Sequence, residues 1–288
     1  MKTNFLGIFA LANVLLVLSC GQAKKDTETA NKQEMEAVAS MPNYDTSDPQ
    51  SILKAVEKAH GGWGHLWNKK DVEFTYRYHN PALNKTDLST ERYIFDTEAS
   101  FGTYSQHEIN VLPDTEGTVS QGFDGEKTVM MVNGTKSEDP QANAVAAFLR
   151  GANYFWFVMP YKLNDPGTIA TYEGQEVHND ITYDKVKVTY DAGVTGKEQN
   201  DIYILYVNPE TQLIDRFYFS LPFLGVNDPV LIANYEYEAI EGQLLSTKRT
   251  YFLPNEEGAY GESPSLEQTI SNVKFNNGFS AERLMESM

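Results

Sequence analysis

Cysteine is almost absent: Cys20 is the only one in 288 residues. No intrachain disulfide can form, so stability has to come from the core alone. Positive charge is also scarce, 23 Lys and Arg against 40 Asp and Glu, for a formal net charge of −17. Nucleic acid and anionic lipid head groups would be repelled by such a chain and are not expected as partners. The familiar catalytic and nucleotide-binding patterns are missing too: there is no G-x-S-x-G elbow, no Walker loop, no dinucleotide fingerprint and no H-E-x-x-H. The five histidines are His60, His65, His79, His107 and His178. His60 and His65 flank Gly61-Gly62 at a spacing that does not put both on one helical face, and nothing in the spacing of the others supports a zinc site. Asp114-Thr115-Glu116 and Asp124-Gly125-Glu126 resemble the starts of calcium loops, but the remaining oxygen ligands do not follow, so both are read as hairpin turns. No catalytic residue, metal or cofactor is expected, and the chain is not expected to be an enzyme.

What is present begins at the N-terminus. Lys2 precedes an apolar run from Phe5 to Leu18, interrupted by Gly7 and Asn13. The run falls short of the roughly 20 apolar residues that span a bilayer and has the layout of an export signal. Its exit, Val17-Leu18-Ser19-Cys20-Gly21, resembles the lipobox of bacterial lipoprotein precursors, apart from Leu18 where a smaller residue is usual. That resemblance implies cleavage before Cys20 and lipid on its thiol and new amine. Residues 1–19 are then the signal peptide. Residues 20–47 are polar, without an aromatic until Tyr44, and read as a flexible tether.

From residue 48 to 288 the pattern is that of one folded domain. Asp48-Pro49 reads as an N-cap followed by proline at N1, and Ile52, Val56 and Ala59 recur at helical spacing up to Gly61, a C′ residue. Beyond it the period is two: Val72, Phe74, Tyr76 and Tyr78 alternate with Glu73, Thr75, Arg77 and His79. Comparable runs cover 91–95, 102–109, 118–123, 127–132, 185–190, 201–207, 213–220, 231–237, 244–252 and 269–275, about eleven strands in all. One polar face per strand argues for antiparallel sheet.

The segment from Ala142 to Met159 is apolar on nearly every side. Spanning a membrane would place Arg150 near the bilayer centre at a cost of about 2.5–3.5 kcal/mol. A helix enclosed by sheet and stopped by Pro160 and Asp165-Pro166-Gly167 is the expectation.

An amphipathic first helix, about eleven antiparallel strands and an apolar central helix together resemble the LolA/LolB-like lipoprotein carriers and receptors. More closely, Ala59-His60-Gly61-Gly62 with Trp67, Phe155–Leu163 with Asp165-Pro166-Gly167, Tyr183–Tyr190, Asp201–Ile214 and Asn272–Phe279 resemble a family of uncharacterised Gram-negative envelope lipoproteins related to that fold. The resemblance covers about residues 50–285. It implies a mainly β (α+β) unclosed antiparallel barrel with helices in its concave face, anchored through Cys20 and located by default on the outer membrane facing the periplasm. In the carriers such a surface accepts acyl chains.

Here the candidate apolar-ligand residues are Tyr154, Phe155, Trp156 and Phe157 with Phe74 and Tyr76, and the expected ligand is a lipid or the acyl chain of a lipoprotein. The same aromatics also suit plain core packing, in a partner-binding scaffold with its cavity packed shut. A free cavity of several hundred cubic ångströms between helices and sheet separates the two readings. A monomer is the default expectation.

Overall fold

The computed structural model describes residues 44–288. The expected export signal, Cys20 and most of the tether lie outside the described residues. Helix α1 (Pro49–Ala59) opens with proline at N1, as its sequence implies, although the Asp48 side chain makes no capping hydrogen bond. Ile52, Leu53, Val56 and Ala59 are buried on one face. Gly61 ends it at φ +107°, and a Cβ there would lie 2.5 Å from the Gly242 carbonyl oxygen, so only glycine fits the turn. A short second helix, α2 (Trp63–Asn68), follows. Its Trp63 and Trp67 pack as a tilted pair at 5.3 Å, with Trp63 also 5.9 Å from Tyr161.

Strands β1 (Asp71–Asn80), β2 (Lys85–Ile94), β3 (Ala99–His107), β4 (Val119–Phe123), β5 (Thr128–Val132) and β6 (Thr135–Lys136) then lead into helix α3 (Pro140–Lys162). After it come β7 (Thr168–His178), β8 (Ile181–Tyr190), α4 (Ala192–Thr195), β9 (Tyr203–Val207), β10 (Ile214–Leu221) and a 3-10 turn (Pro222–Leu224). The chain closes with β11 (Val226–Ile240), β12 (Gln243–Phe252), β13 (Leu266–Phe275) and α5 (Ala281–Glu286).

All thirteen strands form one antiparallel sheet in the order β6-β5-β4-β3-β2-β1-β13-β12-β11-β10-β9-β8-β7, and its edges, β6 and β7, do not pair. The barrel is therefore unclosed, as expected, but it has thirteen strands rather than about eleven. The additions are the two edges. β6 is two residues long, and β7 is half exposed along its length, with Gly174 and a register shift between Tyr172 and Gln175 breaking its alternation. An edge strand with little to bury carries little of the period that identifies a strand.

The same topology explains the apolar helix. The chain leaves the sheet at one edge and re-enters at the other, so α3 has to cross it; its 23 residues give about 34 Å of helix. One side of α3 joins a core with Ile52, Leu53, Val186, Leu205 and Phe217 through Met159. The other joins Val72, Phe74, Tyr93 and Phe95 through Tyr154, Phe157 and Val158. A helix between two cores has no polar face to keep. Asp139 caps it, accepting from the Gln141 and Ala142 amides. Pro160 does not stop it: the helix runs on to Lys162 with Pro160 inside. Proline there removes the hydrogen bond to the Trp156 carbonyl. The guanidinium of Arg249 replaces it, donating to that oxygen at 3.1 Å.

Between α1 and α2, His60 is wholly buried. Its Nδ1 donates to the Val56 carbonyl at 2.7 Å, and Nε2 has no partner. Burial pushes its pKa down from 6.5 to about 4. Below about 6.5 the unfolded chain binds a proton that the folded chain refuses, so stability falls as pH drops from 6.5 toward 4, by roughly 3 kcal/mol at the lower end. Urea unfolding midpoints should therefore decline less between pH 7 and pH 4 in His60→Leu than in the parent. Parallel declines in the two proteins would refute this assignment.

Candidate functional site

The inner face of the sheet and α3 do not meet everywhere. Two clefts flank the middle of the helix. The first, of about 200 Å³, lies between Leu149, Ala152 and Trp156 on α3 and Phe219, Leu221, Leu231, Tyr251 and Leu266 on the sheet. Its walls are largely apolar, with Tyr76, Tyr78, Asp87, Ser89, Tyr104 and Gln268 among the other lining residues. The second, of about 440 Å³, lies on the other flank, between Phe155 and Gly151 of the helix and Tyr190, Asp201 and Tyr203, with Lys162, Asp165 and Lys197 nearby. Phe148, Ala152, Trp156 and Leu221 wall both.

The side chains around the clefts are held by specific contacts. Trp156 stacks on Phe217 at 5.5 Å and meets Phe219 edge-on at 5.2 Å. Asp87 is buried and accepts from the Ile109 and Asn110 amides at 2.8 Å, which ties the segment carrying Asn110 and Val111 to the wall of the first cleft. The 3-10 turn stands at the rim. Its Phe223 stacks on Phe148 with ring centres 4.0 Å apart, yet Phe223 is 50% and Leu224 66% exposed.

Beside the first cleft is the arginine that interrupts the apolar run. Arg150 is fully buried and forms a two-pronged ion pair with Glu91, at 2.6 Å from Nη1 and 3.2 Å from Nη2. Nη2 also donates to the Tyr104 hydroxyl at 2.8 Å. Burial alone would lower its pKa, but the Glu91 carboxylate more than offsets this and the guanidinium stays charged. A Cβ on Gly102 would lie 2.6 Å from Arg150 Nη1 and 2.7 Å from Glu91 Oε1, so this strand position must be glycine for the pair to form.

The aromatic residues singled out in the sequence divide. Trp156 lines both clefts, Phe155 the second and Tyr76 the first. Phe74 and Phe157 stack on each other at 5.0 Å, Tyr154 meets Tyr93 at 5.5 Å, and these three line neither cleft. Residues that sequence reasoning did not single out, Phe148, Ala152, Phe219, Tyr251 and Gln268, complete the walls. Alternation marks the strand residues Phe219, Tyr251 and Gln268 as inward-facing, and Phe148 and Ala152 belong to a helix apolar on nearly every side, so neither pattern distinguishes a covered position from an uncovered one. Among the described residues no three His, Cys, Asp or Glu side chains converge as a metal site would require, and no helix is long and apolar enough to cross a membrane.

The family model described as a family of unknown function, DUF6503, matches residues 40–225. No curated protein sequence matches the chain. Among solved structures, a putative outer membrane lipoprotein-sorting protein domain from Vibrio parahaemolyticus is 8% identical, with a TM-score of 0.47, over 84% of this chain and 98% of its own. A LolA superfamily protein from Nitrosomonas europaea is 14% identical, with a TM-score of 0.46, over 78% and 92%. A DUF1329 family protein from Desulfovibrio piger is 11% identical, with a TM-score of 0.44, over 85% and 98%.

Proposed function

The chain belongs to the DUF6503 family of unknown function, and on that premise we propose that it is a lipid-anchored cell-envelope protein whose half-barrel binds a lipid or the acyl chain of a lipoprotein beside α3. The observation that carries the proposal is the apolar first cleft, left open between the crossing helix and the concave sheet. Its 200 Å³ or so falls short of the roughly 300–1,000 Å³ usual for ligand sites, whereas the second cleft, at about 440 Å³, lies inside that range. A longer ligand would extend from one to the other past Phe148 and Trp156. Unfilled volume on both flanks of α3 favours this reading over a scaffold with a packed-shut core. The role is binding, not catalysis. The proposal includes an export signal at residues 1–19, lipid on Cys20 and residues 20–47 as the tether, with outer-membrane attachment facing the periplasm.

Native mass spectrometry of the purified protein is expected to show lipid retained by the wild type. Ala152 is the small residue shared by the two clefts, so Ala152→Phe fills both and is expected to lower lipid retention about tenfold or more, with the fold intact by circular dichroism. Equal lipid in the two proteins, or none in either, would count against the proposal.

A further inference from the structure

Arg249 stands on the concave face of β12, 2% exposed. Its Nε donates to Ser246 Oγ at 2.9 Å and its Nη2 to the Trp156 carbonyl at 3.1 Å, and its guanidinium carbon is 5.1 Å from the centre of the Tyr235 ring. None of the ion pairs among the described residues includes it. The other fully buried arginine, Arg150, has Glu91 as its partner. A buried charge without a counter-charge is costly, and an aromatic face compensates only part of that cost.

The strand register puts this cation behind the wall of the first cleft, next to residues that line it. Tyr78 on β1 pairs with Gln268 on β13, Gln268 with Arg249 on β12, and Arg249 with Tyr235 on β11. Tyr78 and Gln268 line the cleft, as does Tyr251, whose hydroxyl donates to Gln268 Oε1 at 2.7 Å. Tyr76, one strand position pair from Tyr78, lines it too, and its buried hydroxyl has no hydrogen-bond partner. An unpaired buried hydroxyl is a donor that the fold has left unused. The apolar cleft therefore has a donor without an acceptor among its lining residues and, behind Gln268 and Tyr251, a fixed positive charge without a counter-ion. The carboxylate that lines it, Asp87, is already engaged by the Ile109 and Asn110 amides.

Against the expectation drawn from the net charge of −17, which governs the outer surface, we infer that the ligand of this cleft carries an anionic head group, the carboxylate of a long-chain fatty acid, accepting from the Tyr76 hydroxyl with Arg249 as the local counter-charge behind Tyr251 and Gln268. The inference rests on the lipid-binding reading above and adds the chemical class of the ligand. A neutral ester of the same chain offers neither the charge nor the same acceptor and binds more weakly.

Equilibrium dialysis of the delipidated protein with oleic acid and with methyl oleate tests it, in the wild type and in Tyr76→Phe. The wild type should bind the acid roughly ten- to a hundredfold more tightly than the ester, the range expected for a hydrogen bond to a charged group. Tyr76→Phe should lose most of that preference by weakening the acid alone, and it should unfold at the same urea concentration as the parent or a higher one, because the hydroxyl has no bond to lose. Acid and ester binding equally well to the wild type would overturn the head-group inference while leaving the apolar-ligand reading in place. An acid preference unchanged in Tyr76→Phe would overturn it as well. Failure of both ligands to bind would remove the lipid-binding reading and the inference with it.

Discussion

Arg150→Met is expected to destabilise the protein by about 3–5 kcal/mol, because it leaves the Glu91 carboxylate charged, dehydrated and without its partner. Both side chains are wholly buried, the contacts are 2.6 and 3.2 Å, and α3 contributes one partner while β2 contributes the other. The pair thus fixes where the crossing helix sits against the sheet. The Ser100 hydroxyl reinforces that position by donating to the Arg150 carbonyl at 3.0 Å. Glu91→Leu in the Arg150→Met background removes both charges and should recover most of the loss, since apolar groups of similar volume often replace a buried ion pair at little cost. Urea unfolding of the parent, both single variants and the double variant supplies the full cycle. If Arg150→Met alone cost less than about 1 kcal/mol, the pair would not hold the helix in the sense argued here.

Cys20→Ser is expected to release the protein from the membrane fraction and to abolish its labelling by palmitate in the exporting cell. Each buried methylene contributes about 0.8 kcal/mol, and a single acyl chain anchors only reversibly, whereas two or three hold persistently. The rest of the chain offers little to replace them. Its charge of −17 disfavours docking on an anionic membrane surface, and no helix among the described residues is suited to span a bilayer. The folded domain itself should be unchanged, with the same unfolding midpoint in both proteins. A serine variant that stayed with the membrane, or a wild type that took up no palmitate, would sink the anchoring proposal.

Local chemistry was legible wherever one residue settles it. Pro49 starting α1, Gly61 ending it and the two-residue period of β1, β8 and β12 all follow from backbone preference and from one face being buried. Pro160 was misleading because its cost is local while its compensation is remote: Arg249, 89 positions further along the chain, donates to the carbonyl that proline leaves bare. Arg150 was visible as an exception in an apolar run, but its partner Glu91 was one among 40 acidic residues until the fold brought them together. Tyr154-Phe155-Trp156-Phe157 read as a single patch, and the turn of the helix sends two of them into the core and two to the clefts.

By itself the sequence determined the acidic balance, the single cysteine, the ends of the first helix and the antiparallel alternation, because each depends on residue type or on spacing along the chain. The tertiary structure alone decided that β6 and β7 are unpaired edges, that α3 must cross from one to the other, and that the helix leaves volume on both flanks. It also decided that Arg249 stands without a carboxylate beside Tyr76 and Gln268. Free volume and charge pairing depend on which distant side chains fail to meet, and no local pattern records a contact that is not made.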